Sequence, residues 1–147
     1  MISHFDHIVL TVANIDRAVS FYETVLKMEA ITFGDGRKAV KFGQQKINLQ
    51  LLGEELRNHA MEGSGDLCLI TDWAMDDVIA HLKECDVSIL EGPVAKSGAQ
   101  GSIESVYFND PDNNLIEVSV YLDSTENEPV EPSSDSIETD TNEKEAE

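Results

Sequence analysis

An internal repeat constrains the fold of this chain more than any other feature of its sequence. The segment FDHIVLTV alternates apolar and polar residues as a strand does, and it precedes a helical pattern and three short strand-like segments. The segment GDLCLIT then starts the same order of patterns again. Aligning His7 with Asp66 brings Asp16 to within one residue of Asp76. The sequence therefore predicts two tandem βαβββ modules of an α+β domain.

Each copy contains one amphipathic helix. Apolar residues at helical spacing predict a helix in NIDRAVSFYETVLK, with Asn14 as its N-cap, and a second helix in WAMDDVIAHLKEC. The first copy ends in strands near EAITF, KAVKFG and KINLQLL, and the second in VSILEGP, SIESVYFND and NLIEVSVY. DPDNN joins the last two strands as a turn, in which Asn113 or Asn114 is expected to be left-handed.

The predicted strands have one apolar and one polar face. Residues expected to face the helices are Ile8, Leu10, Val12, Ile47, Leu49, Leu51, Leu67, Leu69, Ile116, Val118 and Val120. The opposite face carries His7, Thr11, Asn48, Gln50, Asp66, Cys68, Ser105, Tyr107, Glu117 and Ser119. Polar side chains on several strands at once favour a curved mixed sheet that encloses a polar ligand.

The end of the chain differs in composition from the rest. Residues 123–147 contain ten acidic residues and one basic residue and no aromatic residue, so they predict a disordered acidic tail after a domain spanning residues 1–122. Solvation and spacing are the simplest role for the tail, and partner docking is the alternative. The formal net charge of -19 argues against binding to nucleic acid or anionic membranes.

The cysteine content and the N-terminus favour the cytoplasm. Cys68 and Cys85 lie in apolar patterns and are predicted to be free, buried thiols, which suit a reducing compartment. No signal-peptide pattern and no apolar run of membrane-spanning length is present in the sequence.

Three segments together carry a resemblance to a known family. DHIVLTVANIDRAVSFYETVLKME near the start, EGPV, and KSGAQGSIESVYFNDPDNNLIEV at the end resemble the vicinal oxygen chelate superfamily. This superfamily includes glyoxalase I, fosfomycin-modifying thiol transferases and extradiol dioxygenases, and the chain is most similar to its glyoxalase domain-containing members. The resemblance covers residues 4–122 and implies a cup-shaped sheet around a divalent metal ion.

The resemblance also implies roles for individual residues. His7 on the first strand and Glu117 on the last correspond to metal ligands, and Glu117 also to the proton-transferring base. Gln50 stands where close relatives have a histidine ligand, and Asn48 and Asp66 stand at other ligand positions, where we expect contacts with the substrate. For Asn48 and Gln50, hydrogen bonding to water in the cup is an equal alternative.

Other side chains have weaker assignments. Tyr107 corresponds to a substrate-binding tyrosine of the thiol transferases, although packing across strands is the commoner role of such a residue. Lys96 in the segment KSGAQGS is predicted to lie in a flexible loop, and Arg57 and His59 are predicted to lie at the rim of the site. Gln100 and Asn109 stand where relatives carry basic residues, which argues against a phosphonate or a phosphorylated substrate bound as in the transferases.

The expected function is that of a glyoxalase-like, metal-dependent enzyme of the lyase or isomerase type, acting on a small molecule. The metal would be zinc, nickel, cobalt, manganese or iron. The alternatives are a non-catalytic small-molecule binder with a degenerate metal site, or a protein that binds a partner through its acidic tail. A homodimer is expected, because the edge strands of each half-cup would otherwise stay unpaired.

Overall fold

The predicted repeat is confirmed as two βαβββ modules in a computed structural model, which describes residues 1–122. The first module consists of β1 (His7–Val12), α1 (Ile15–Thr24), β2 (Glu29–Phe33), β3 (Arg37–Phe42) and β4 (Gln45–Leu51). The second consists of β5 (Asp66–Ile70), α2 (Met75–Glu84), β6 (Glu91–Gly98), β7 (Gly101–Asn109) and β8 (Leu115–Tyr121). The predicted disordered tail lies outside the described residues.

Each module forms its own four-stranded mixed sheet. The first sheet has the strand order β1-β4-β3-β2, and the second has the order β5-β8-β7-β6. In each sheet the first strand of the module pairs in parallel with the last, and the remaining pairs are antiparallel. Within residues 1–122 no ladder joins the two sheets, so β1 and β5 each stand at an edge.

The two helices begin differently. The predicted cap of α1 is confirmed, because the Asn14 side chain accepts a hydrogen bond of 2.9 Å from the backbone N–H of Arg17. Helix α2 begins after Ala74 without a side-chain cap. Each helix is ten residues long, and no helix in the described part of the chain could span a membrane.

Both sheets pack their apolar faces into one hydrophobic core. The core includes Ile47 and Leu49 from the first sheet, and Phe108 and Ile116 from the second. Helix α1 links the two sets, because the ring of Phe21 lies 6.4 Å from that of Phe108. The period-2 pattern therefore predicted correctly that Ile47, Leu49, Ile116 and Val118 are buried, whereas Leu51 is exposed.

The β7–β8 turn, residues 110–114, ties the two modules together through buried hydrogen bonds. The Asp110 carboxylate accepts a bond of 2.7 Å from the Tyr22 hydroxyl in α1, and Tyr22 is fully buried. It also accepts bonds of 2.8 and 2.9 Å from the backbone N–H groups of Asp112 and Asn114, and one of 2.8 Å from the Asn114 amide. Burial, reinforced by Asp110, raises the pKa of Tyr22, so its hydroxyl stays a donor.

The same turn contacts the start of α1 in the first module and the start of the second module. Asp112 accepts a bond of 2.8 Å from the Ala13 N–H and one of 2.9 Å from the Arg17 guanidinium, both at the start of α1. Asn114 accepts a bond of 2.8 Å from the Gly65 N–H, immediately before β5. Asn113 is left-handed, with φ of 62°, as one of the two alternatives predicted.

The sequence misplaced one strand and one loop. Strand β6 begins at Glu91, not at Val87, because the N–H of Val87 bonds to the Leu82 carbonyl and extends the C-terminal cap of α2. Lys96 belongs to β6 and not to a flexible loop. The segment around it forms a hairpin in which Gly98 pairs with Gly101.

We predict that Tyr22→Phe lowers the free energy of unfolding by about 2 kcal/mol, because it removes a buried bond to a charged acceptor. Urea unfolding measures the change. Tyr121→Phe is the matched control: that half-buried hydroxyl accepts one bond of 3.1 Å from the Gln100 N–H, and its loss should cost no more than about 0.5 kcal/mol. Equal losses in the two variants would contradict the role given to the turn.

Candidate functional site

The polar face of the second sheet places Glu117 between two other reactive side chains. In the strand register, Glu117 of β8 is directly opposite Cys68 of β5 on one side and Tyr107 of β7 on the other. Directly paired residues project from the same face of a sheet, so the three side chains form one row. The structure thus brings two predicted site residues, Glu117 and Tyr107, together with Cys68.

Two buried hydroxyls lie in the next row of the same face. Ser105 and Ser119 are fully buried, and their Oγ atoms are 2.7 Å apart. Ser119 lies 3.4 Å from the Glu117 carboxylate and 3.4 Å from the Cys68 sulfur. The Ser119 hydroxyl, held by Ser105, therefore contacts the half-buried Glu117 carboxylate and restricts its orientation.

The carboxylate changes the proton affinity of its neighbours. Burial first, and Glu117 second, raise the pKa of Tyr107 to about 12, so its hydroxyl is a hydrogen-bond donor at neutral pH. Partial burial of the sulfur is also the largest cause that raises the pKa of Cys68, and the negative charge of Glu117 adds to it.

The prediction that both cysteines are buried was wrong. Cys68 as a whole residue is exposed, since it projects from the polar face, and Cys85 is half-buried.

The polar face of the first sheet carries His7. Its Nδ1 atom lies 2.6 Å from the Asp6 carboxylate, and this hydrogen bond lowers the pKa of Asp6. A carboxylate at Nδ1 leaves Nε2 as the available ring nitrogen, which is the usual arrangement of a metal-binding histidine. Across the parallel ladder His7 is directly opposite Lys46.

Asn48 and Gln50 lie farther along the same face. Asn48 is opposite Val9, and Gln50 is opposite Thr11, whose hydroxyl accepts a bond of 3.1 Å from the Gln50 amide. Thr11 is four residues beyond His7, a separation of about 13 Å along a strand. Asn48 is nearer to His7, and its buried Oδ1 atom has no hydrogen-bond partner.

The predicted site residues line more than one cavity within the described chain. His7 and Asp66 line one groove together with Lys46 and Cys68. Glu117 and Tyr107 line a second concavity of about 410 Å³, which shares Cys68 with the first. Gln50 lines a third cavity, together with Arg37 and Glu55. No group of three or more His, Cys, Asp or Glu side chains within residues 1–122 is placed to hold a metal ion. The metal-ligand assignments of His7, Gln50 and Glu117 stay predictions.

The donor set nevertheless fits a divalent metal by its chemistry. A histidine oriented by a carboxylate and a half-buried glutamate are both ligands that first-row metals use. Sequence reasoning missed the supporting residues Asp6 and Lys46. The signals for them were an acid directly before the histidine, and a lysine opposite that histidine once β1 and β4 are paired in parallel.

The family follows from comparison with known proteins. Residues 4–118 match the model of the glyoxalase/bleomycin resistance protein/dioxygenase superfamily, and the chain belongs to this superfamily. Divalent metals are common among its members.

Particular relatives are similar over most of their length. An integron cassette protein from the mobile metagenome of V. cholerae is 54% identical in sequence, with a TM-score of 0.80 over 83% of this chain and 98% of that one. Virulence protein STM3117 of Salmonella typhimurium is 46% identical over 83% of this chain and 87% of its own length, and its crystal structure gives a TM-score of 0.80. Glyoxalase domain-containing protein RDO1 of Mycosarcoma maydis is 46% identical over 80% of this chain and 68% of its own length.

We predict that Cys68, although exposed, reacts slowly with iodoacetamide at pH 8, because its raised pKa keeps the sulfur protonated and the thiolate is the nucleophile. Glu117→Gln should increase the rate severalfold by removing a neighbouring negative charge. The measurement uses a Cys85→Ser background, so that only one thiol reports.

Glu91→Gln is the control for this prediction. Glu91 is opposite Tyr107 in the same row, two strands beyond Glu117, and it is not among the groups that shift the pKa of Cys68. Its substitution should leave the alkylation rate unchanged. An equal effect of both substitutions would mean that the net charge of the face, and not Glu117, controls the thiol.

Proposed function

We propose that this protein is a glyoxalase-like, metal-dependent enzyme of the lyase or isomerase type that acts on a small molecule. The observation that carries the proposal is the placement of a carboxylate-oriented histidine on β1 and of Glu117 on β8, each on the polar face of its sheet. Membership of the superfamily supports the same reading.

His7 and Glu117 would hold the metal, with Gln50 as the further ligand implied by the family resemblance. The metal would be zinc, nickel, cobalt, manganese or iron, and it would supply Lewis-acid polarisation of substrate oxygens. Asn48, Asp66 and Tyr107 would contact the substrate. The Tyr107 hydroxyl is protonated at neutral pH and can donate to a substrate oxygen, while the neighbouring Glu117 carboxylate can accept a proton.

A homodimer would complete the site. His7 lies on the first sheet and Glu117 on the second, and within the described chain they line different cavities. The edge strands β1 and β5 leave backbone groups open to pairing, and two-fold symmetry would place the first sheet of one copy beside the second sheet of the other. One half-site from each copy would then form a cup.

A non-catalytic binder of small molecules is the second candidate. It is favoured by the Gln50 side chain, which is already bonded to Thr11 and lies four ladder pairs beyond His7. In either case we expect a cytoplasmic protein, in agreement with two cysteines that are not joined in a disulfide. Neither candidate involves nucleic acid or a membrane.

We predict that the protein binds about one divalent metal ion per chain and that His7→Ala and Glu117→Gln each abolish this binding. Asp6→Asn should weaken it by about tenfold, because the histidine loses its orienting partner. His59→Ala, in the exposed loop after β4, is the control. Metal content after dialysis and competition with a chelator give both quantities, and a metal-free wild type would leave the binder as the function.

Sharing of the site between two copies has its own test. We predict that an equimolar mixture of His7→Ala and Glu117→Gln chains, refolded together, regains about a quarter of the wild-type metal content, because half of the dimers are mixed and each has one intact site. Each variant refolded alone should regain none. If the mixture also regains none while the wild type binds metal, both ligands come from the same chain.

A further inference from the structure

We propose that the polar face of the first sheet binds the anionic group, a carboxylate or a phosphate, of the small molecule that the protein recognises. The inference rests on the proposed function for its location next to His7. It adds the substrate class and a subsite built from Lys46, Arg37 and Asn48.

The distribution of charge is the first observation. The chain has 29 acidic and 10 basic residues. Arg37, Lys41 and Lys46 nevertheless all project from the polar face of the first sheet, because the register places them on the face opposite to Val40 and Ile47. None of the three forms an ion pair with any residue in the range 1–122. An acidic protein thus presents a basic face where the substrate would lie.

Two of these cations share one aromatic ring. The Lys46 ammonium lies 3.7 Å from the centre of the Phe33 ring, and the Arg37 guanidinium lies 4.8 Å from it. The ring holds the two like charges near one another, and cation–π attraction offsets part of their repulsion. An anion between them would neutralise both, with the charge-assisted hydrogen bonds that guanidinium and ammonium groups form.

Several acids lie near this face, namely Asp35 in the cavity of Arg37 and Asp6 and Asp66 in the groove of Lys46, but none forms an ion pair with Arg37, Lys41 or Lys46. Glu55 pairs with Arg57, which lowers the pKa of Glu55 to about 2, and Glu54 accepts a bond of 2.8 Å from the Leu51 N–H. Both carboxylates line a cavity of about 360 Å³ together with Arg37. Glu29 is opposite Lys41 in the register but does not form an ion pair with it. The face therefore keeps positive charge available.

Asn48 is the second, independent observation. Its side chain is about 95% buried on the same face, between the Lys46 and Gln50 positions, and its Oδ1 atom has no hydrogen-bond partner. A buried amide group without a partner costs free energy. The unpartnered atom is an acceptor, so an anion does not satisfy it directly. Rotation of the amide by about 180° exchanges its two ends, and the NH₂ group of Asn48 can then donate to a bound anion.

The position of the subsite selects its ligand. The Lys46 backbone is directly opposite His7, whereas its ammonium lies over the Phe33 ring on β2. A molecule whose oxygens reach the metal at His7 would therefore extend along the Lys46 side chain to place its acidic group beside the ammonium. The ligand class is a small organic acid or phosphate ester whose further oxygens are separated from the acidic group by about the length of that side chain. Neutral aldehydes and ketones lack the group that the subsite holds.

The test is an NMR titration of the metal-free protein with inorganic phosphate and with acetate at constant ionic strength, with acetamide as the neutral probe. We expect saturable shifts of the Ala39 and Asn48 amides with both anions and none with acetamide. Lys46→Met keeps the stem over Phe33 and removes the charge, and it should weaken binding about tenfold. Lys46→Arg should restore most of it, and Lys83→Met on the exposed side of α2 should have no effect.

Three results would overturn the inference: no saturable binding to the wild type, equal binding of acetamide, or no change on Lys46→Met. Because the titration is done without metal, it is independent of the proposed function. If the wild-type protein binds anions but no metal, the proposed metal site is contradicted and this subsite is not. If it binds metal but no anions, this subsite is contradicted and the metal site is not.

Discussion

The buried carboxylates of the β7–β8 turn are the interactions on which the arrangement of the two modules depends. Asp110 has four donors and Asp112 has two, and these donors come from the turn itself and from the first module. Burying a charged group is unfavourable unless it is satisfied, so the turn depends on the bonds that Ala13, Arg17 and Tyr22 donate; the second oxygen of Asp112 is buried without a partner. The single core shared by both sheets follows from these bonds, and with it the directions in which the two polar faces point.

The fold could be predicted from the sequence because the patterns were repeated and local. The spacing of apolar residues identified both helices, and Asn14 was identified as the cap of the first one. The left-handed Asn113 was one of two residues that the turn sequence offered. The start of β6 was misplaced because VSIL has the composition of a strand while its first N–H closes the helix before it. Composition does not show which competing hydrogen bond a residue makes.

The candidate site was predictable in part. The sequence placed Glu117, Tyr107 and Cys68 on one face, and the strand register puts them in one row. The distance of Gln50 from His7 depends on the register of β1 against β4, which no local pattern contains. The same register reveals Lys46 beside His7. Residues that pair across a ladder cannot be predicted from the sequence until the strand register is known, whereas the alternation of residues within one strand can.

The strands that carry the candidate functional residues differ in how many neighbouring strands they pair with. Glu117 lies on β8, an inner strand that is paired along both edges and packed against the core on one face. The strands that carry His7, Phe33 and Lys96 are edge strands, each paired along one side only. Changes on these edge strands can therefore alter the recognised molecule while the strand that carries Glu117 stays the same.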